Sequence, residues 1–226
     1  MASPLIKAVI FDLDGTIVDT EPLAARIVKA YYAEKGVALS PEDAQYTNGK
    51  KWEVALEYLF KKHPIEVAME QISHEILTRY QAALAGGVPV VPGVAAAIRN
   101  FAQTYPLALV SGSHRRDILF LLEQVQVREC FQVVLGAEDY PRSKPAPDGY
   151  LKAMSILGIG PGEAVVFEDS QVGLASAKAA GLVAVAITST NHFNQSYAQA
   201  DVRIPDFQGV DRDWLAKLQS ERHSIP

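Results

Sequence analysis

Short apolar runs, each closed by small or acidic residues, alternate along most of this chain with stretches whose apolar residues recur every three or four positions. The first run, Val9-Ile10-Phe11, is apolar at every position, the pattern of a strand covered on both faces in a parallel sheet. Runs of the same kind lie at Leu107 to Val110, Phe131 to Leu135, Val165 to Phe167 and Val183 to Ile187, with a shorter edge candidate at Val202 to Ile204. Between them, three sets of residues keep helical spacing: Val94, Ala97, Ile98 and Phe101; Ile118, Leu122 and Val125; and Tyr150, Leu151, Met154 and Leu157. The last of these stops at Gly158, a residue suited to a left-handed helix terminus. An alanine-rich stretch from Ser170 to Ala180, closed by Gly181, predicts a helix whose small side chains let it lie close to the sheet. Strand and helix in alternation predict βαβ units and a Rossmann-like parallel α/β core. The tail from Ser220 is expected to fray.

One segment breaks the alternation. Residues 21–87 separate the first strand from the second by far more than a parallel crossover requires. They carry three helical stripes: Leu23, Ile27, Ala30 and Tyr31; Trp52, Ala55, Leu56, Leu59 and Phe60; Met69, Ile72, Ile76 and Tyr80. The expectation is a small inserted helical domain over 21–87, with the α/β core formed by 1–20 and 88–226. Gly86-Gly87 and the stretch from Pro89 to Pro92 supply turn chemistry where the chain re-enters that core.

Composition narrows the function classes. With 226 residues, 49% of them hydrophobic and 21% charged, the chain can bury a full α/β core and one smaller domain. No apolar stretch reaches the roughly 18 residues of a membrane span, and Met1-Ala2-Ser3-Pro4 has neither the basic nor the apolar region of a signal peptide. The expected location is therefore cytoplasmic, with no membrane partner. A single cysteine, Cys130, excludes an intramolecular disulfide and is expected to pack near a strand start. A net charge of −5 and a pI near 5.6 argue against a nucleic-acid partner, which needs clustered Lys and Arg.

The chemistry-bearing residues gather at the ends of predicted strands. Asp12 and Asp14 stand one residue apart, followed by Gly15, at the carboxyl end of the first apolar run, where open α/β sheets keep their sites. Desolvated carboxylates repel each other unless a cation or hydrogen-bond donors compensate. Lys144, in Arg142-Ser143-Lys144-Pro145, and the pair Glu168-Asp169 are the candidates for completing such a site. Ser111-Gly112-Ser113 closes the second run. Each segment alone has an ordinary explanation: an Asp-Gly turn, a serine turn, a surface lysine stiffened by Pro145 and Pro147, an N-cap before a helix. His63, His74, His114, His192 and His223 are scattered, and none is assigned a metal.

Taken together and in this order, the four segments resemble the signature motifs of the haloacid dehalogenase superfamily of aspartate-nucleophile phosphatases and phosphomutases. Asp19-Thr20-Glu21, Ser143-Lys144-Pro145 and Glu168-Asp169-Ser170 are similar in particular to the β-phosphoglucomutase-like branch. The resemblance implies a Rossmann-like core with an inserted helical cap, and a Mg2+-dependent enzyme that hydrolyses a small phosphorylated metabolite such as a sugar phosphate. By the same resemblance Asp12 is the nucleophile, and Asp14 the general acid and then base. Phosphate binding falls to Gly15, Ser111, Gly112 and Lys144. The metal falls to Asp12, Asp14, Asp169 and Glu168, the last directly or through water. Glu21, Gly49, Lys50 and Ser113 are the substrate-contact candidates, and a monomer is expected. The positions matching the cap histidine and the cap-loop lysine of true β-phosphoglucomutase are Ala24 and Asn48. These departures favour a hydrolase over a mutase, because a mutase must shield its phosphoaspartate from water. A non-catalytic regulatory protein on the same fold is the remaining alternative.

Overall fold

The structure is a computed structural model that describes residues 4–43, 52–192 and 194–223. It separates into two compact units, one formed by Met1–Val18 with Val90–Pro226 and the other by Asp19–Pro89.

The Asp19–Pro89 unit is helical, with α1 (Glu21–Glu34), α2 (Trp52–Lys62) and α3 (Met69–Ala85). Its core joins Val28, Tyr31 and Tyr32 of α1 to Leu56 and Leu59 of α2 and Ile72 and Ile76 of α3. On α1 the buried stripe is rotated from the expected one. Ala30 is exposed, whereas Val28 and Tyr32 are buried, because the two adjacent tyrosines carry more apolar area than an alanine and turn the helix toward themselves. Asp43 is fully buried in this unit and is held by Lys62, by the backbone and hydroxyl of Ser40, and by His63 at 2.9 Å. Burial would raise its carboxyl, but these hydrogen bonds outweigh burial and hold it below the usual range.

The other unit is the predicted α/β core. Six strands, β1 (Ala8–Phe11), β2 (Leu107–Val110), β3 (Val133–Leu135), β4 (Ala164–Glu168), β5 (Val183–Ile187) and β6 (Val202–Ile204), form one parallel sheet in the order β3-β2-β1-β4-β5-β6. The chain winds outward in one direction from β1 and in the other from β4, so the order reverses between these two strands, where α/β sheets leave a crevice beyond the strand ends. The helices of this unit are α4 (Val94–Phe101), α5 (Arg115–Gln124), α6 (Asp148–Leu157), α7 (Gln171–Ala179) and α8 (Arg212–His223).

Strand pleating sorts the central residues to two faces. Ile10 and Val166 join Tyr150, Ala153 and Met154 of α6 and Leu174 and Ala177 of α7 in one cluster. Phe11 and Phe167 are cross-strand partners whose rings stack at 5.2 Å. Around this pair lie the rings of Phe101, Phe131 and Phe207, and that of Trp214 reaches Phe167. Gly93 supplies the entry to α4 at φ 79°, and a Cβ there would stand 2.6 Å from the Phe207 carbonyl carbon. Only glycine lets the aromatic cluster close against that turn.

Gly158 takes the expected left-handed conformation at the end of α6, and Gly181, expected to close the next helix, is left-handed after α7. Leu151, expected on the buried face of α6, is exposed. The chain does not fray at Ser220. α8 runs on to His223, with Leu215 and Leu218 buried, Gln219 accepting the Ile6 N–H at 3.0 Å and Ser220 bonded back to Ala216. Cys130 sits half-buried in the turn before β3, where burial pushes its thiol up. Among the described residues no helix is long and apolar enough to cross a membrane.

Because Phe167 contributes to several of these ring contacts at the centre of the sheet, Phe167→Ala is expected to lose about 3–5 kcal/mol of stability. Urea unfolding of the variant against the parent chain measures this; a loss under about 1 kcal/mol would show that the cluster is not the mechanical centre of the sheet.

Candidate active site

The reversal of strand order sets the site. Past the end of β1 the ladder continues for one step, the Asp12 N–H donating to the Phe167 carbonyl at 3.0 Å. Asp12 is thereby fixed beside the end of β4, where Glu168 and Asp169 follow. All three acids are buried, and each offers an oxygen within 4.8 Å of the others. Lys144 reaches in between, its ammonium 2.5 Å from Asp12 Oδ1 and 2.5 Å from Glu168 Oε1, and it donates also to the Val110 carbonyl at 3.2 Å. One side chain thus ties together the ends of β1, β2 and β4. The Lys144-Pro145 peptide is cis.

Electrostatics here are set by burial and by like charges. Burial pushes the Asp12 carboxyl well above the usual carboxylate range, Lys144 pulls it back, and Glu168 and Asp14 push it up further. Burial also opposes the charge on Lys144, but Asp12 and Glu168 outweigh it, and the ammonium is held well above the usual lysine range. Lys144 offsets one of the three negative charges that crowd its end of the sheet.

Glu168 is the most constrained of the acids. Its Oε1 accepts from Lys144 and from the Tyr150 hydroxyl at 3.1 Å, and its Oε2 accepts from the Asp169 N–H, the Ser170 N–H and the Ser170 hydroxyl. Ser170 is the N-cap of α7, its hydroxyl accepting from the Gly173 N–H at 3.0 Å. Capping therefore falls to the serine rather than to Asp169. The same turn explains Gly173, where a Cβ would stand 1.7 Å from Glu168 Oε1. The carboxylate occupies the space that any other residue at that position would fill.

The turn after Asp12 is equally crowded. Gly15 adopts φ 79°, its N–H donates to Val18 at 2.7 Å, and a Cβ on it would lie 2.1 Å from Asp169 Oδ2. Its N–H is thus engaged by the turn itself, and its lack of a side chain makes room for Asp169. Asp14 Oδ2 accepts from the Ser113 hydroxyl at 2.8 Å, which joins the first motif to the loop after β2. Ser111 is buried, its Oγ accepting the Ser113 N–H and its carbonyl accepting the Tyr140 hydroxyl at 2.7 Å. A Cβ at Gly112 would meet no atom within 4 Å, so space is open beside that peptide.

The structure therefore brings together, in one unit, Asp12, Asp14, Gly15, Ser111, Gly112, Ser113, Lys144, Glu168 and Asp169. Glu21 is the first residue of α1, in the helical unit. Gly49 and Lys50, with Asn48, lie outside the described residues. Sequence reasoning took Tyr150 for core, and overlooked Tyr140 and Gly173. The available signal was a tyrosine, rather than phenylalanine, six residues after Lys144 on a buried helical face, since a buried phenol needs a partner. A glycine inside the alanine-rich helix, three residues after the N-cap serine, was the other.

The donor set fits a small hard cation. In an octahedron with metal–oxygen bonds of about 2.1 Å, neighbouring ligand oxygens lie about 3.0 Å apart and opposite ones about 4.2 Å. Buried carboxylate oxygens that already lie within 4.8 Å of one another need only a modest contraction to meet such an ion. Oxygen-only donors suit Mg2+ rather than a thiophilic metal. Asp12, Asp169 and Glu168 would hold it.

A six-stranded parallel sheet whose order reverses between two acid-bearing strands, with one lysine bridging them, defines a Rossmann-like α/β core with its charged site at the strand ends. The chain belongs to the haloacid dehalogenase-like hydrolases, whose family description matches residues 9–187. It is 32% identical to protein CbbY of Rhodobacter capsulatus over 94% of this chain and 99% of that one. It is 29% identical to the fructose-1-phosphate phosphatase YqaB of Escherichia coli K12, over 78% of this chain and 93% of that protein. Among solved structures, a CbbY variant from Rhodobacter sphaeroides in complex with xylulose-(1,5)bisphosphate superposes with a TM-score of 0.73 at 26% identity, covering 90% of this chain and 95% of that one.

Gly173→Ala provides a test of the site's packing in which two effects oppose each other. Alanine is favoured over glycine in a helix by about 1 kcal/mol. Displacing Glu168 would disturb several hydrogen bonds to a charged group, each contributing about 1.5–3 kcal/mol. The variant is expected to be destabilised by at least about 2 kcal/mol in chemical denaturation, and a stabilised variant would mean that Glu168 moves aside freely.

Proposed function

We propose that this protein is a phosphatase that hydrolyses small phosphorylated metabolites, sugar phosphates in particular, through an aspartyl-phosphate on Asp12. The observation that carries the reading is the Lys144 ammonium at 2.5 Å from both Asp12 and Glu168, where the Ser111-Gly112 loop adjoins the same strand ends. A carboxylate attacks a phosphate dianion only where positive charge and donors lower their mutual repulsion. In this reading Asp12 attacks phosphorus as the ester oxygen leaves. Lys144, the Ser111 hydroxyl and the Gly112 amide hold the phosphoryl oxygens. Asp14, oriented by Ser113, gives its proton to the leaving oxygen and then takes one from the water that hydrolyses the acyl phosphate. Bound Mg2+ would lower the charge repulsion between nucleophile and substrate, with Asp12, Asp169 and the Asp14 carbonyl as its ligands and Glu168 direct or through water. Glu21, Gly49 and Lys50 are assigned to the leaving group. Relatives named as a sugar-phosphate phosphatase and a neighbour crystallised with a sugar bisphosphate support this class of substrate.

A phosphomutase is the second reading, since a solved β-phosphoglucomutase from Clostridium difficile has the same fold. Ala24 and Asn48 count against it, for the reason that a mutase must exclude water from its phosphoaspartate.

Release of inorganic phosphate from a panel of sugar phosphates in the presence of Mg2+ tests the proposal directly. Turnover should need no sugar bisphosphate activator and should stop when EDTA is added. Asp12→Asn should lower kcat by about 10⁴ or more while keeping a melting temperature no lower than that of the parent, because it removes one of several buried like charges. Asp169→Ala should behave as the parent does in EDTA. Dependence on a bisphosphate would favour the mutase, and normal turnover by Asp12→Asn would remove the aspartyl-phosphate.

A further inference from the structure

The loop that follows β5 is bonded back to both halves of the acid site. Thr190 is buried, 3% exposed, and its hydroxyl donates to the Gly15 carbonyl at 2.6 Å. A few residues on, Gln195 accepts the N–H of Gln171, the first residue of α7, at 2.9 Å through its side-chain oxygen. Asn191 and Gln195 bond each other reciprocally, Asn191 Nδ2 donating to the Gln195 carbonyl at 3.1 Å and the Gln195 N–H donating to Asn191 Oδ1 at 2.7 Å. The base of the loop is tied to β6, with Thr188 and Ser189 donating their N–H groups to the Ile204 and Pro205 carbonyls. One short segment thus grips the turn that follows Asp14 and the helix that follows Asp169.

Gly15 is where the grip acts on chemistry. Its turn lies so close to Asp169 that a Cβ would fall 2.1 Å from Oδ2, so the glycine forms one wall of the space in which that carboxylate sits. The backbone bonds of the turn, from the Gly15 N–H to Val18 and from the Thr16, Ile17 and Val18 N–H groups to the Leu13 carbonyl, close it on itself. The buried Thr190 hydroxyl ties the Gly15 carbonyl of that closed turn to the loop after β5.

We propose that Thr190 is a positioning residue for the metal-binding acids: its hydroxyl pins the Gly15 carbonyl and so holds the Asp14-Gly15-Thr16 turn against the Asp169 carboxylate. The proposal rests on the reading of Asp169 as a Mg2+ ligand. Groups that orient ligands from behind change metal affinity by about 10–100-fold when removed.

Calorimetric titration of the substrate-free protein with MgCl2 tests it, with the parent chain, Thr190→Val, Thr190→Ala and Thr190→Ser side by side. Valine keeps the shape and loses the donor, alanine loses both, and serine keeps the hydroxyl. Valine and alanine are expected to raise the Mg2+ dissociation constant by about 10-fold or more, and serine to stay within about threefold of the parent. The valine or the alanine variant at parent affinity would overturn the proposal, as would serine weakened as much as alanine, which would mark a purely steric role. If valine fails to fold, the alanine and serine pair gives the same comparison. A parent chain that takes up no Mg2+ would instead overturn the metal reading itself.

Discussion

The ammonium of Lys144, held between Asp12 and Glu168, is the interaction around which the core is arranged. The sheet reverses its winding between β1 and β4, and at that point two strands deliver carboxylates to the same small volume away from water. Like charges there repel strongly, and a buried ion pair rarely adds net stability, because desolvation consumes what the attraction gives. The lysine therefore supplies charge at a fixed place more than it supplies folding energy. What offsets the strain is immediately behind it: the stacked rings of Phe11 and Phe167, one residue before Asp12 and Glu168 on their strands, anchor each acid-bearing end to apolar packing.

Adjacent acids with different supports can do different work. Glu168 accepts hydrogen bonds on both oxygens from five donors, two of them backbone N–H groups, and is fixed as firmly as a main-chain atom. Ser170 takes the capping duty at the start of α7, which leaves the Asp169 side chain to the space that Gly15 walls. Asp14 accepts from the Ser113 hydroxyl, a donor on the loop after β2. Three acids that crowd one end of the sheet are thus held in three different ways.

Much of this was readable from residue order because the relevant physics is local. The apolar runs marked five strands and the edge at β6, since a strand buried on both faces has to be continuous in apolar residues, and Gly158 and Gly181 marked helix ends through their backbone freedom. Asp12, Lys144 and Asp169 announced themselves through the need to compensate buried charge. What escaped depends on distance along the chain. Tyr150 and Tyr140 act through hydroxyls on residues far away in sequence, Gly173 is needed because of a carboxylate rather than a turn, and α8 is held by a contact between Gln219 and Ile6. The rotation of α1 toward Val28 and Tyr32 likewise follows from which partners the neighbouring helices present, which spacing on one helix does not contain.

The pairing of β1 has a consequence for how the chain is made. The strand that carries Asp12 leaves the ribosome before either of its neighbours, Leu107–Val110 and Ala164–Glu168, and Phe11 meets Leu109 on one side and Phe167 on the other. Until Leu107–Val110 has been made, a fully apolar strand with two open edges waits without a partner, and its second edge stays open until Ala164–Glu168 follows, while the helical unit can form from contacts within Asp19–Pro89 alone. Synthesis at about 5–20 residues per second leaves that strand exposed for many seconds. A short β1 of four residues, followed at once by two acids and a glycine, limits the sticky length on display and places charge beside it. Charges placed directly after a short apolar strand are of the gatekeeper kind, whose repulsion opposes edge-to-edge association of the strand they terminate.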